Sequence, residues 1–174
     1  MLLSQQRTAM FMLLVAVCLV LFGGPAKAQT QNTPSPILKV GGEVGTPLQL
    51  SAADFAKLPR TSTKAKDHSG KESVFEGVSL VEILKLAGIK FGEEFRGKQM
   101  ALFLVVDAAD DYRVLFALQE LDPSFNDKLF LLADRRDGSP LTARDGPLQM
   151  IVPAEKRQGR WIRQVVSLTV RRAE

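Results

Sequence analysis

Met100-Ala-Leu-Phe-Leu-Val-Val106 is an unbroken apolar run, followed by Asp107-Ala-Ala-Asp-Asp111 and then by Tyr112-Arg-Val-Leu-Phe116. A short continuous apolar run of this kind, bounded by turn residues, reads as a strand buried on both faces. The aspartates turn the chain and the second run returns beside the first, which predicts an antiparallel pair. Downstream, Leu118 to Leu121 reads as a helical turn ended by Asp122-Pro123. Leu129 to Ala133 is apolar, and two Asp-Gly turns follow at Asp137-Gly138 and Asp145-Gly146. Leu148 to Val152 and Ile162 to Val170 read as closing strands, the latter with Val166, Leu168 and Val170 inward. Upstream, Ser79-Leu-Val-Glu82 predicts a capped helix with Ile83, Leu84, Leu86 and Ala87 on one face and Gly88 just past its end. Ser51-Ala-Ala-Asp54 predicts a second capping box on a short helix stopped by Pro59. Ile37 to Val40, Leu48 to Leu50 and Ser73 to Phe75 are β-prone, Thr61 to Asp67 is polar and extended, and Ser69-Gly70-Lys71 turns the chain. Strands outnumber helices and the helices are short, so the expected class is α+β with mainly antiparallel sheets.

The N-terminus reads as an export leader. Arg7 precedes an apolar stretch from Ala9 to Phe22, Gly23-Gly24-Pro25 ends it, and Ala26-Lys27-Ala28 offers small residues to a signal peptidase. The stretch is shorter than the ~20 residues a membrane-crossing helix needs. Residues 1–28 are therefore expected to be a signal peptide, 29–36 a flexible lead-in and 37–174 a single domain. The expected location is periplasmic or secreted, with no stable membrane insertion after cleavage; a retained N-terminal anchor is the alternative.

The chain has 174 residues and a formal charge of +4, which falls to +2 without the leader because Arg7 and Lys27 leave with it. So small an excess, without a long basic run, does not indicate nucleic acid as a partner. The only cysteine, Cys18, lies in the leader, so the remainder has no disulfide, thiol nucleophile or thiolate ligand. His68 is the only histidine.

Asp67-His68-Ser69 invites comparison with a catalytic triad, but three consecutive residues of an extended segment cannot converge on one atom. The plainer reading of His68 is a loop histidine beside a turn; the functional one is a ligand-contacting or proton-handling group. Metal sites are not expected: Asp107, Asp110 and Asp111 sit where turns favour aspartate, and Asp134 to Gly138 lacks the alternating acids of a calcium loop. Lys156-Arg157-Gln-Gly159-Arg160-Trp161-Ile-Arg163 packs four cations, a glycine and the only tryptophan into eight positions. Arginine offers planar paired donors to phosphate or carboxylate, and glycine lets a backbone N–H approach an anion. A solvated loop that keeps a sheet edge soluble is the alternative.

The order of motifs carries more than any one of them. Glu43-Val-Gly-Thr-Pro-Leu48, Leu50-Ser51-x-x-Asp54-Phe55, Phe75-Glu-Gly-Val-Ser-Leu80 with Ile83-Leu84, and Asp111-Tyr112 come first. Asp137-Gly-Ser-Pro-Leu141, Gly146-Pro-Leu148, Val152-Pro153 and Lys156-Arg157-x-Gly159-Arg160-Trp161 follow. Over about residues 37 to 170 the set resembles the molybdopterin-binding domain of the sulfite oxidase type, in a minimal exported version. The resemblance implies a mixed α+β fold with a pterin cofactor among its loops. It implies Lys156, Arg157, Gly159 and Arg160 as cofactor-phosphate contacts, Asp67, His68 and Tyr112 near the cofactor, and Trp161 in the core. The family's molybdenum-binding cysteine would fall between Pro59 and Phe75, where this chain has Asp67 or His68 nearby and no cysteine. Tyr112 stands where relatives often have glycine, and Gln149 where they often have arginine.

Three functional readings follow. The first is a binding module that has lost the molybdenum centre and holds an anionic or pterin-like ligand, or an envelope partner. The second is a periplasmic molybdopterin-dependent oxidoreductase with Asp67 or His68 in place of the cysteine. The third is a structural or interaction protein of the cell envelope. Under the first two, Arg157 and Arg160 are expected to face one concavity with Asp67 and His68.

Overall fold

The antiparallel pair at the centre of the sequence is present as β5 (Leu102–Ala108) and β6 (Arg113–Ala117), with Val105 opposite Leu115 and Val106 opposite Val114. Asp111 turns between them at φ 66°, in the left-handed region where aspartate is enriched. The structure is a computed structural model that describes residues 35–67 and 69–174. The expected leader, most of the lead-in and His68 lie outside the described residues. No helix among the described residues is long and apolar enough to cross a membrane.

β10 (Val165–Arg172) flanks β5 on its other side, antiparallel. β1 (Leu38–Gly42) joins β10 in parallel, and β2 (Leu48–Leu50) closes a five-stranded sheet in the order β2-β1-β10-β5-β6. The second sheet runs β3 (Thr61–Lys66), β4 (Glu72–Ser79), β7 (Leu131–Arg136), β8 (Ser139–Pro140). β9 (Gln149–Ile151) pairs with the start of β7, where Leu131 meets Ile151. The helices are α1 (Ala52–Ala56), α2 (Leu80–Leu86) and α3 (Leu118–Leu121). The architecture is α+β with mainly antiparallel sheets, as the sequence predicts.

The main core joins the two sheets. Val40, Leu104, Val106 and Leu168 from the first pack in one cluster with Val78, Leu132 and Met150 from the second and with Leu80, Ile83 and Leu84 of α2. Burying each such side chain contributes about 1.5–3 kcal/mol. A smaller cluster (Ala65, Phe75, Leu131, Ala133 and Ile151) forms on the opposite face of the second sheet, because strand neighbours point to opposite sides. Trp161 packs against both clusters.

Local expectations met different fates. Ser51 and Asp54 form the expected reciprocal capping box. Ser79 makes no side-chain cap bond. There β4 runs straight into α2, Ser79 remains in the ladder opposite Leu131, and the Leu80 N–H donates to the Phe130 carbonyl. The buried stripe of α2 is Leu80, Ile83, Leu84 and Ala87, at helical spacing, and this leaves Leu86 about half exposed. In β10 a bulge between Val165 and Ser167 shifts the register, so Val165 is buried and Val166 faces out, against the expected alternation. Met100 lies in a 3-10 turn before β5 and is exposed.

Candidate functional site

One end of the second sheet, the β9 region and the segment after Val152 enclose an open cavity of about 440 Å³. Its floor is set by strand register. Phe75 on β4 pairs with Arg136 on β7, so both side chains share a face and the guanidinium lies 5.3 Å from the Phe75 ring centroid. Arg136 Nε donates to Ser73 Oγ at 2.9 Å, and Nη2 donates to Asp67 at 2.8 Å. Among the described residues Nη1 has no hydrogen-bond partner. An arginine held on two edges and one face keeps a fixed direction for its remaining donors.

Asp67 ends β3 and closes the turn to β4. Its carboxylate accepts from the Ser69 N–H and hydroxyl, the Lys71 N–H and Arg136. The Ser69 hydroxyl first, and Arg136 next, hold its pKa well below the ordinary carboxylate range. Opposite stand Arg144 and Arg163, with Arg163 3.7 Å from Asp145. Arg144 has no ion-pair partner among the described residues. Asp145, Gln149, Gln158 and Trp161 complete the wall, and the Trp161 ring meets Phe75 edge-on at 5.9 Å. A second cavity of about 490 Å³ shares Arg144, Gln158, Trp161 and Arg163 with the first, and reaches Asp110, Tyr112 and Gly159. The Tyr112 hydroxyl donates to the Gly159 carbonyl at 2.9 Å.

The two cavities sort the expected site residues. Asp67 lines the first, and Tyr112 and Gly159 line the second. Lys156 and Arg157 are exposed and line neither. Arg160 points elsewhere. Its guanidinium lies 4.3 Å from the Phe116 ring centroid, donates to the Leu115 carbonyl at 3.1 Å, and pairs with Glu120 and Glu155. Burial opposes its charge, but the two carboxylates outweigh that and raise its pKa. Of the concavity expected to hold Arg157, Arg160, Asp67 and His68, the described residues place neither arginine with Asp67, against the expected phosphate site: two carboxylates on the far side of the segment draw Arg160 away. The sequence reading missed Arg136 and Arg144 and passed over Arg163. Strand alternation before the Asp137-Gly138 turn places one of Arg135 and Arg136 on the Phe75 side, a signal that needs the register to be usable.

The family model of the oxidoreductase molybdopterin binding domain matches residues 27–174. The chain belongs to this family. The crystal structure of the sulfane dehydrogenase SoxCD from Paracoccus pantotrophus matches with a TM-score of 0.60 at 20% identity, over 76% of this chain. The likeness supports the molybdopterin-domain fold, and this chain spans only 37% of that one. No curated protein matches in sequence.

The residues present fit part of a molybdopterin cofactor. Arg136 and Arg163 are paired with Asp67 and Asp145 of the same lining, which leaves Arg144, among the described residues, as the lining cation without an acidic partner to meet an anionic heterocycle beside the aromatic wall. The metal is a different matter. Cys18 is the only cysteine in the sequence, and the described residues contain no group of three or more histidine, cysteine or acidic side chains able to hold an ion. The Asp67 carboxylate is committed to four donors, and carboxylates are poor substitutes for thiolate toward soft metal centres. Of the two residues expected in place of the family's cysteine, Asp67 is thus engaged elsewhere, and His68 lies outside the described residues.

Proposed function

We propose that this chain is an exported member of the molybdopterin binding domain family that dispenses with molybdenum and holds an anionic, pterin-like ligand in the arginine-lined cavity. The observation that carries the reading is the Arg136 clamp. Ser73, Asp67 and Phe75 fix the guanidinium while one of its nitrogens stays open beside the cavity, so little ordering is left for binding to complete. Arg144 adds positive charge, Arg163 adds donors while paired with Asp145, and Phe75 and Trp161 offer aromatic surface to a flat ring. Gln149 and Gln158 supply amide donors and acceptors that can read its edge. The described residues lining the cavity are donors, acceptors and aromatic faces that bind and orient a ligand. Export rests on the leader at residues 1–28.

The test is the full chain purified from the periplasm of a molybdenum-replete host, denatured, with released small molecules identified by mass spectrometry and molybdenum measured in the same sample. A pterin-like compound near one per chain with no molybdenum is the expected result. Stoichiometric molybdenum overturns it in favour of the oxidoreductase reading, and a protein empty of small molecules favours the envelope interaction protein.

A further inference from the structure

We propose that Arg160 is the positioning residue of this cavity: it holds the wall segment 157–163 against β6 and α3, and so sets where Gln158, Trp161 and Arg163 stand. The inference rests on the cavity being the ligand site.

The segment needs such an anchor. Its only regular structure is a single 3-10 turn, Gln158–Arg160, and it belongs to neither sheet. Trp161 Nε1 ties back to the Val152 carbonyl at 3.1 Å, and Tyr112 holds Gly159 from the β6 side. Arg160 adds bonds to three separate elements. It reaches Glu155 just ahead of the turn, Glu120 on α3 and the Leu115 carbonyl on the edge strand β6. Glu120 is itself fixed, since it accepts from the Ala117 N–H at 3.0 Å. The anchor therefore joins the wall to a helix start and a strand edge that do not move independently of the core. Phe116, under the guanidinium, is fully buried.

The charge balance makes the role specific. Glu155 and Glu120 both meet the same Nη2 atom, and their side chains are only 17% and 30% exposed. Without the guanidinium, two poorly solvated carboxylates confront each other, one on the chain leading directly into the wall segment and one on α3. Like charges at this range repel more strongly away from bulk water. The wall then swings away from α3, and Trp161 follows. Replacing both acids by glutamine removes the repulsion and preserves an acceptor for the Ala117 N–H.

The experiment uses Trp161, the only tryptophan of the chain, as the readout in ligand-free protein, together with calorimetric titration of pterin-6-carboxylate. Arg160→Met is expected to shift the Trp161 emission to longer wavelength, increase its quenching by acrylamide and weaken the probe at least tenfold. Arg160→Met combined with Glu120→Gln and Glu155→Gln is expected to recover most of both. Arg160→Lys, which keeps a cation between the acids, is expected to lie between wild type and Arg160→Met, and it stands in if the methionine variant does not fold. Affinity lost with Trp161 emission unchanged overturns the proposal, because Arg160 then touches the ligand. Wild-type emission and affinity in Arg160→Met overturn it as well. A wild-type protein that ignores the probe refutes the ligand reading alone, since Trp161 emission in the ligand-free variants still decides the role of Arg160.

Discussion

Arg136 shows how much of a binding site one side chain can settle. Its bonds to Ser73 and Asp67 and its place over Phe75 leave one direction free. A hydrogen bond between an ionised group and an anion is worth about 1.5–3 kcal/mol, or more than tenfold in affinity. Arg136→Gln should therefore weaken pterin-6-carboxylate by at least about tenfold, and Arg136→Lys should not restore it, because a lysine cannot span Ser73, Asp67 and a ligand together. Titration calorimetry decides this, and unchanged affinity in the glutamine variant removes Arg136 from the site. Such residues were hard to see in the sequence. Arg136 and Asp67 lie 69 positions apart, and Arg160 and Glu120 lie 40 apart. The cluster from Lys156 to Arg163 attracted attention by composition, yet direction is set by distant carboxylates. Asp67 drew notice through its place in the resemblance and Gly159 as a glycine beside cations, and each lines one of the cavities.

At the scale of elements, bulges matter more than propensities. β7 carries one at Asp134, where its pairing with β4 steps from Glu76–Arg135 to Gly77–Ala133. A β-carbon on Gly77 would stand 2.0 Å from the Leu132 carbonyl oxygen and 2.6 Å from the Ala133 α-carbon. Backbone cannot yield there without breaking the sheet. Gly77→Ala should cost more than about 2 kcal/mol, at the severe end for point substitutions. Denaturant melts would reveal it, and a loss below half that amount would mean the strands can separate locally. The same physics explains the misread alternation in β10, since one extra residue moves every side chain before it to the other face. The two Ser-x-x-acid motifs make a parallel point. Ser51 begins its helix from a loop and caps it, whereas Ser79 is still engaged in a ladder and does not.

The fold class was legible because it depends on patterns that survive small errors of register: short apolar runs, turn aspartates and brief capped helices. The order of turn motifs carried the family for the same reason. One property belongs to the molecule as a whole. Asp54, Asp67, Asp122 and Asp137 are all held below the ordinary carboxylate value near 3.8. Hydrogen bonds lower them, and at Asp122 donors from Ser124 and Gly92 outweigh burial, which pushes the other way. A carboxyl lowered in the folded state favours folding above its unfolded pKa, and that contribution is lost as pH falls through the folded value. These four should contribute a constant stability above about pH 5 and a declining one below about pH 4. Thermal melts across that window should show the midpoint falling with acid, less steeply in Asp67→Asn. A midpoint that rises on acidification would contradict the assignment.

The place of β10 has a consequence in time. It is the last strand among the described residues, yet it lies between β1, the first of them, and β5. Neither neighbour can complete its ladder until the C-terminal residues are available, so much of the first sheet depends on contacts between distant parts of the chain. Topologies of this kind have high contact order and fold slowly, because loop closure precedes any return from pairing. A chain lacking residues 165–174 should show no cooperative unfolding transition by circular dichroism, and one that still melts sharply would show that β1 and β5 manage without it. Late closure of this sort keeps the first sheet open along most of its length until the C-terminal strand β10 arrives to join β1 and β5.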